Sequence, residues 1–368
     1  MKETDTNTPA EPYGQPFPSA SDEVARELVD RLEAEHALSV EQWVALFAAQ
    51  TDPDLRAYLF ERARAVRDRH YGHRVFLRGL IEYSNYCKND CLYCGIRASN
   101  AILGRYRLTP EEILEGCAIG YDLGYRTFVL QGGEDPRMPL LPVVREIRAR
   151  YPDCAITLSA GELPRDRYQQ LFDAGADRYL LRHETADAVQ YARLHPSSMS
   201  LADRKACLFA LREIGFQVGS GFLVGAPGQT PETMAANMAF LHELDPHMIG
   251  IGPFIPHAAT PLAAHPAGTA EETAFMLACL RLAHPRALLP ATTALASIDP
   301  FGRIRGLDAG ANVIMPNLSP AAHRADYALY DGKLASGLEA AEHHAELVAQ
   351  LAAHGYTVDP SRGDSLVD

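Results

Sequence analysis

Short apolar runs alternate with longer amphipathic stretches from residue 75 onward. The runs are rich in branched and aromatic residues and fall at 75–83, 127–131, 155–159, 178–182, 217–224, 248–254, 287–293 and 312–315. Runs of this length and composition are typical of buried strands. The stretches with helical spacing are 109–123, 140–150, 165–174, 201–214, 231–244, 271–283 and 299–308. Eight strand–helix repeats predict an α/β fold, a closed (β/α)8 barrel of the TIM type.

The chain on either side of these repeats has a different pattern. In residues 20–72 apolar positions such as Val24, Leu28 and Leu32 recur at helical spacing, which predicts an N-terminal helical extension. Residues 1–19 hold four prolines among polar residues and are expected to form a disordered tail. The barrel is expected to occupy residues 73–335, and residues 336–368 are expected to form a C-terminal helix and tail.

Composition and charge exclude several classes of function. Apolar residues make up 47% of the 368 residues and charged residues 22%, which suits a globular protein with a large core. The formal net charge of −13, without a basic stripe, opposes binding to nucleic acid. No run of eighteen apolar residues occurs, and the first twenty residues do not resemble a signal peptide. No membrane association is therefore expected, and the protein is expected to be cytoplasmic.

The seven cysteines are distributed unevenly. Cys87, Cys91 and Cys94 form a C-x₃-C-x₂-C pattern directly after the first predicted strand, whereas the other four stand singly in apolar segments. Thiolates hold iron–sulphur clusters, and three cysteines on a cube of four irons leave one iron open to bind a small molecule. A structural zinc site is the alternative, but it needs four ligands, and nearby histidines lie before the strand rather than after it.

This cysteine pattern, with Tyr93 before the third cysteine, resembles the signature of the radical S-adenosylmethionine (SAM) superfamily. The resemblance implies one [4Fe-4S] cluster held by Cys87, Cys91 and Cys94, with SAM on the open iron. It also implies reductive cleavage of SAM to a 5′-deoxyadenosyl radical, which the barrel shields from water. In this family Tyr93 would sit near the adenine.

Other positions match the family's SAM-binding positions at later strand ends. Gln131, Gly132, Gly133 and Glu134 resemble its Gly-Gly-Glu motif, in which the glycines allow close approach to the methionyl amine. The resemblance further implies that Glu184 binds the ribose hydroxyls and Arg204 the SAM carboxylate. The apolar strand ends that include Val224 and Ile251 are expected to form the adenine slot.

The resemblance is strongest to HydE-type maturases of the [FeFe]-hydrogenase H-cluster, over roughly residues 75–335. Stretches such as 85–97, 179–185 and 311–317 carry it. It implies a small organometallic substrate, a cysteine-bound Fe(CO)₂(CN) complex, and other maturation proteins and an electron donor as partners. The residues at matching positions of the family's substrate pocket are Arg78, Arg182, Thr292, Thr293, Tyr327 and Tyr330.

Two other functions stay open at this point. A methylornithine-synthase-like or biotin-synthase-like enzyme would share the barrel, the cysteines and SAM but act on an organic substrate. An iron–sulphur carrier would hold the cluster without turnover. A second cluster is not expected, because the chain has no cysteine after Cys279.

Overall fold

A computed structural model describes residues 22–367, so the predicted tail at residues 1–19 lies outside the described part of the chain. The helices are α1 Asp22–Glu35, α2 Val40–Ala48, α3 Pro53–Tyr71, α4 Pro110–Asp122, α5 Leu140–Arg150, α6 Arg165–Asp173, α7 Ala188–Leu194, α8 Leu201–Ile214, α9 Pro231–Leu244, α10 Ala270–Ala283, α11 Thr293–Ile298, α12 Gly302–Asp308, α13 Ala321–Arg324 and α14 His344–Ala353. The strands are β1 Arg74–Leu77, β2 Gly79–Ser84, β3 Thr127–Gly132, β4 Ala155–Ser159, β5 Arg178–Leu180, β6 Gln217–Ser220, β7 Leu223–Val224, β8 Met248–Ile249, β9 Gly252–Pro253, β10 Val313–Ile314 and β11 Thr357–Asp359.

Helix starts follow local side-chain chemistry. At α4 the Thr109 hydroxyl accepts a hydrogen bond from Glu112 N at 3.2 Å, and the Glu112 carboxylate accepts one from Thr109 N at 2.7 Å. Pro110 follows in the first turn, where its missing N–H costs no hydrogen bond. The same reciprocal cap, with a proline after it, begins α9 at Thr230. These caps fix where the chain leaves each strand end and turns back.

The parallel strands close into the predicted barrel. β2, β3, β4, β5, β6 and β8 pair in that order, and β10 pairs with β1, which continues into β2 through Arg78. Between β8 and β10 the wall is completed by bridges from Met248 to Leu288 and from Pro290 to Val313. The seventh strand is reduced to these bridges because Pro290 has no N–H and α11 begins at Thr293. The (β/α)8 fold is thereby confirmed.

The three N-terminal helices pack on the outside of the barrel, α3 against α10 and α2 against α9. The buried Arg67 guanidinium donates to the carbonyl of Leu307 at 2.7 Å and ties α3 to α12. No helix within residues 22–367 has the length and apolar character needed to span a bilayer.

The C-terminal segment closes the end of the barrel at which the strands begin. β11 extends the sheet beside β1, in parallel register from Arg74 to Phe76. After it the chain turns inward, and Asp364 accepts a hydrogen bond from the buried Arg178 guanidinium at 2.6 Å. This end is therefore filled by the chain's own tail, which leaves the opposite end, where the strands finish, for a cavity.

Candidate active site

A cavity of about 280 Å³ opens at the C-terminal ends of the barrel strands. It is lined by residues of the loop after β2 that holds Cys87, Cys91 and Cys94, here called the cysteine loop, and by residues from the ends of β3 to β5 and β9 and from the segment after α13. The residues lining it that the sequence also singles out are Cys87, Cys91, Tyr93, Cys94, Gln131, Gly132, Gly133, Glu134, Arg182, Glu184, Arg204, Thr292, Tyr327 and Tyr330.

The cysteine loop is held by backbone contacts on both sides. Leu92 N donates to Leu194 O at 2.9 Å and Gly95 N donates to Leu329 O at 2.8 Å. Burial raises the pKa of all three thiols, that of Cys94 to about 12. The free thiols are therefore protonated, and binding of a metal centre would convert them to thiolates.

The glycines after β3 let this strand end touch the cysteine loop. A Cβ on Gly133 would stand 2.2 Å from Tyr86 O and 2.9 Å from the Cys87 Cβ, so only glycine fits. The Glu134 carboxylate lies 3.1 Å from Lys88 Nζ, and its side chain packs on Gly161, a glycine with φ +75. The Gly-Gly-Glu turn and the cysteine loop thus form one wall of the cavity.

Two carboxylates and two guanidiniums meet at the ends of β4 and β5. Arg182 lies 3.0 Å from Glu184, and Arg204 on α8 lies 2.6 Å from Glu162. Burial raises the pKa of Glu184, with Arg182 and then Arg204 opposing it. Burial lowers the pKa of Arg204, but Tyr191, Glu162 and other neighbours outweigh it and raise the value.

The backbone at Glu184 is strained. It has φ +63, in the left-handed region that a non-glycine residue rarely adopts. Glu184 N donates to Gly221 O at 3.0 Å, and Leu223 N donates back to Glu184 O at 3.1 Å. These bonds hold the conformation, which aims the carboxylate into the cavity rather than into the sheet.

Tyr93 is fixed from behind by a histidine. His195 Nδ1 lies 3.0 Å from the carbonyl of Tyr191 and must carry the proton, since a carbonyl only accepts. Its Nε2 is therefore an acceptor, 3.4 Å from the Tyr93 hydroxyl. Burial lowers the pKa of His195 to about 3, which keeps the ring neutral. The tyrosine ring is thereby turned against the cavity.

The opposite wall carries hydroxyl and guanidinium groups, and two of their polar atoms have no hydrogen bond within residues 22–367. Thr292 Oγ1 and Arg182 Nε are buried, and neither has a hydrogen-bond partner within residues 22–367. The Tyr327 hydroxyl lies 3.4 Å from Gln131 Nε2. Burial raises the pKa of both Tyr327 and Tyr330, so both hydroxyls stay protonated. These groups are donors for an anionic ligand.

The residues fit an iron–sulphur cluster with SAM. In the described part of the chain no three His, Cys, Asp or Glu side chains are arranged around a single ion. A cluster differs in that each cysteine binds a separate iron, and three cysteines line the cavity here. Glu184 Oε2 and Arg204 Nε are buried and are in ion pairs, but neither atom has a hydrogen bond in the described residues. Both atoms could therefore bind polar groups of a ligand.

The structure corrects the predicted positions of four residues. Arg78 precedes β2 at the closed end of the barrel, where its guanidinium contacts Met248 Sδ and Gly363 O, away from the cavity. Thr293 donates its hydroxyl to Glu339 at 2.7 Å and does not line the cavity.

Val224 and Ile251 are buried in the core, while Leu223 and Gly252 line the cavity instead. On β7 neighbouring side chains point to opposite faces, so Val224 faces away from the cavity that Leu223 lines. Residues 252–255, in β9 and directly after it, all line the cavity, and Ile251 precedes them.

Sequence reasoning also missed residues. Ser159 and Gly161 line the cavity, and Glu162 pairs with Arg204. The available signal was their place at the end of the strand predicted at 155–159 or directly after it, the same rule that located the other strand ends. His195 carried no comparable signal, because its contact with Tyr93 bridges 102 residues.

Comparisons with known proteins agree with this site. A model of the Radical SAM superfamily matches residues 81–241. The [FeFe] hydrogenase maturase subunit HydE of Thermotoga maritima is 47% identical over 279 residues, covering 75% of this chain and 79% of that protein. The 3-methylornithine synthase of Methanosarcina barkeri is 32% identical over 303 residues, covering 77% and 84%.

Two solved structures share the fold. That of methylornithine synthase (PylB) has a TM-score of 0.79 and 27% identity, and covers 90% of this chain and 97% of that one. That of HydG, a maturase of the [FeFe]-hydrogenase, has a TM-score of 0.78 and 22% identity, covers 93% and 77%, and supports the fold alone. The chain therefore belongs to the radical SAM superfamily as a HydE-type member, which makes it a radical SAM enzyme with an iron–sulphur cluster and SAM as cofactors.

Proposed function

We propose that this enzyme acts in maturation of the [FeFe]-hydrogenase H-cluster, on a small anionic, cysteine-bound Fe(CO)₂(CN) complex. Similarity to the HydE maturase supports the pathway. The chemistry of the cavity supports the substrate, because the Arg182 Nε and the Thr292 hydroxyl, which have no hydrogen-bond partner within residues 22–367, suit a small anion.

Cys87, Cys91 and Cys94 would hold the cluster. When bound and reduced, the cluster would supply the electron for reductive cleavage of SAM to a 5′-deoxyadenosyl radical. The chain's own part is to keep the surroundings dry and the ligands fixed: the backbone bonds from Leu92 and Gly95 immobilise the loop between and after the ligands. A fixed, water-poor site limits side reactions of a reactive species.

SAM would lie between the cysteine loop and the ends of β3 to β5. Gly132 and Gly133 would let the backbone approach its amine, and Arg204 would pair with its carboxylate. The strained Glu184 would accept hydrogen bonds from the ribose hydroxyls, and Tyr93, backed by His195, would contact the adenine. Leu223 and Gly252, which line the cavity, would take the places of Val224 and Ile251 in the apolar slot.

The substrate would lie against the wall formed by Arg182, Thr292, Tyr327 and Tyr330. Arg182 already donates to the carbonyl of Phe222 at 2.7 Å and pairs with Glu184, so its Nε is held in place for a ligand. The protonated tyrosines would donate rather than accept. Arg78 and Thr293 would not belong to this wall, because Arg78 contacts Gly363 and Thr293 contacts Glu339 outside the cavity.

One observation carries the proposal. The buried Thr292 hydroxyl and Arg182 Nε have no hydrogen-bond partner in the described part of the chain, and both residues line the same cavity as the three cysteines. An iron–sulphur carrier does not need such donors beside its cluster, whereas a substrate site next to the cofactors does need them.

The test is activation of an apo-hydrogenase in a defined mixture of maturation proteins, with synthetic cysteine-bound Fe(CO)₂(CN) complex as substrate. The wild-type enzyme should support activation, and Cys91→Ala should not. Cys207→Ser is the matched control, because this half-buried thiol lies outside the cavity. Formation of methylornithine, with no activation of the hydrogenase, would contradict the proposal.

A further inference from the structure

Burial is inverted at two adjacent residues near the mouth of the cavity. Residues 325–334, here called the mouth strap, cross the barrel mouth without helix or strand and bring Tyr327, Leu329 and Tyr330 to the cavity. Within the strap the Lys333 side chain is only 9% exposed, whereas the next residue, Leu334, is 38% exposed. Hydrophobic burial alone would favour the reverse arrangement. A specific partner must therefore hold the lysine inside.

That partner is Glu82 on β2. Lys333 Nζ lies 2.8 Å from Glu82 Oε1, and the glutamate is 1% exposed. Asn317 Nδ2 donates to the other carboxylate oxygen at 2.8 Å. Burial raises the pKa of Glu82, while Lys333 opposes the rise. Such a pair gains little stability over apolar side chains, so it is better explained by the geometry that it imposes.

The pair acts on the cavity through the strap. The Lys333 ammonium lies 5.3 Å from the centre of the Tyr327 ring, close enough for a cation–π contact. Further along, Leu329 O accepts from Gly95 N at 2.8 Å, directly after the third cysteine. Asp331 accepts from Ala258 N at 2.8 Å. The strap is thus tied to the cysteine loop and to the chain after β9, while Lys333 reaches into the barrel wall.

We propose that Lys333 and Glu82 are positioning residues whose ion pair holds the mouth strap closed over the cavity. Closure keeps Tyr327 and Tyr330 against the bound substrate and keeps water out. The role of the two tyrosines rests on the proposed function, whereas the locking of the strap does not. Neither charged residue touches the cavity itself, since neither is among its lining residues.

Amide hydrogen exchange of the reconstituted, SAM-bound protein tests the lock. Lys333→Met keeps the length of the side chain and removes the charge. We expect at least tenfold faster exchange of the amides of Gly95, Ala258 and the strap, with unchanged exchange in α1 to α3. Lys333→Arg should restore exchange to within about twofold of wild type, and Leu334→Ala is the matched control on the exposed neighbour.

Glu82→Gln gives the same test from the other side if Lys333→Met fails to fold, because it removes the charge and retains the Asn317 contact. Strap exchange that stays at the wild-type rate in both charge-removing variants would overturn the lock. So would equal acceleration in α1 to α3, which would mean general destabilisation.

Hydrogenase activation separates the lock from the proposed function. A locked strap in a wild-type protein that never activates a hydrogenase would refute the function and leave the lock standing. Hydrogenase activation by the wild-type protein, together with wild-type strap exchange in both variants, would support the function and refute the lock. If both hold, Lys333→Met should need at least tenfold more Fe(CO)₂(CN)–cysteine complex for half-maximal rate, while the SAM concentration for half-maximal rate stays within about twofold.

Discussion

Removal of the Arg204 guanidinium should destabilise the protein in a way that depends on pH. Arg204 lies 2.6 Å from Glu162, with side chains 9% and 20% exposed. In Arg204→Met the Glu162 carboxylate loses its cation in a mostly buried position. Burial already raises the pKa of Glu162 with the arginine present. Without the arginine the group will take up a proton instead of staying charged.

The cost of protonating Glu162 sets the upper limit of the loss in free energy of unfolding. The ordinary pKa of the glutamate is 4.5. Holding it protonated at pH 7 costs about 1.4 kcal/mol for each pH unit above that value, or about 3.4 kcal/mol. At pH 5.5 the same limit is about 1.4 kcal/mol. The folded variant then binds a proton that the unfolded chain has released, so stability falls as pH rises.

Urea unfolding of Arg204→Met and wild type at pH 5.5 and pH 7.0 measures this difference. We expect a loss of about 3 kcal/mol at pH 7.0 and less than half of that at pH 5.5. The double variant Arg204→Met/Glu162→Gln should recover most of the loss at pH 7.0. A loss that is equal at both pH values and is not recovered by Glu162→Gln would refute a role for the buried carboxylate.

Three further predictions concern the cavity and the core. Thr292→Val should leave the rate of SAM cleavage within about twofold of wild type. It should raise the substrate concentration for half-maximal hydrogenase activation about tenfold, which corresponds to about 1.4 kcal/mol of lost binding free energy. Unchanged substrate dependence would count against a contact at Thr292. Gly133→Ala should lower cluster content, measured as iron and sulphide per chain, because its Cβ would overlap Tyr86 O; full occupancy would show that the turn can move. Burial lowers the pKa of His183 and of His284 to about 3, so both rings stay neutral in the folded protein but take up protons in the unfolded chain near pH 6. The two histidines together should therefore lower the free energy of unfolding by up to about 3 kcal/mol between pH 6 and pH 5. Urea midpoints of wild type and His284→Gln at both pH values test this, and equal pH slopes would contradict it.

The sequence predicts the barrel and the cysteine loop because both are encoded locally. Strand periodicity, capping residues such as Thr109 and a cysteine pattern within eight residues need no knowledge of the rest of the chain. The position of a residue relative to the strand end is harder to predict. Arg78 stands near the beginning of its strand and so faces the closed end of the barrel.

Contacts between distant segments could not be predicted. Val224 falls one residue away from Leu223, which lines the cavity, and Ile251 directly precedes the lining residues 252–255. Strands β7 and β9 have two residues each, which is too few for periodicity to show which residues face the cavity. The ion pair of Lys333 with Glu82 joins residues far apart in the chain. The sequence around Lys333, between a glycine and a leucine, is that of an exposed loop.

The most direct test of the account is formation of 5′-deoxyadenosine after anaerobic reconstitution with iron and sulphide, reduction and addition of SAM. We predict that the wild-type protein and Cys207→Ser form it, and that the three single variants Cys87→Ala, Cys91→Ala and Cys94→Ala do not, although each keeps a folded barrel. Cleavage of SAM by any of the three folded cysteine variants at the wild-type rate would contradict the assignment of the cluster to this cavity.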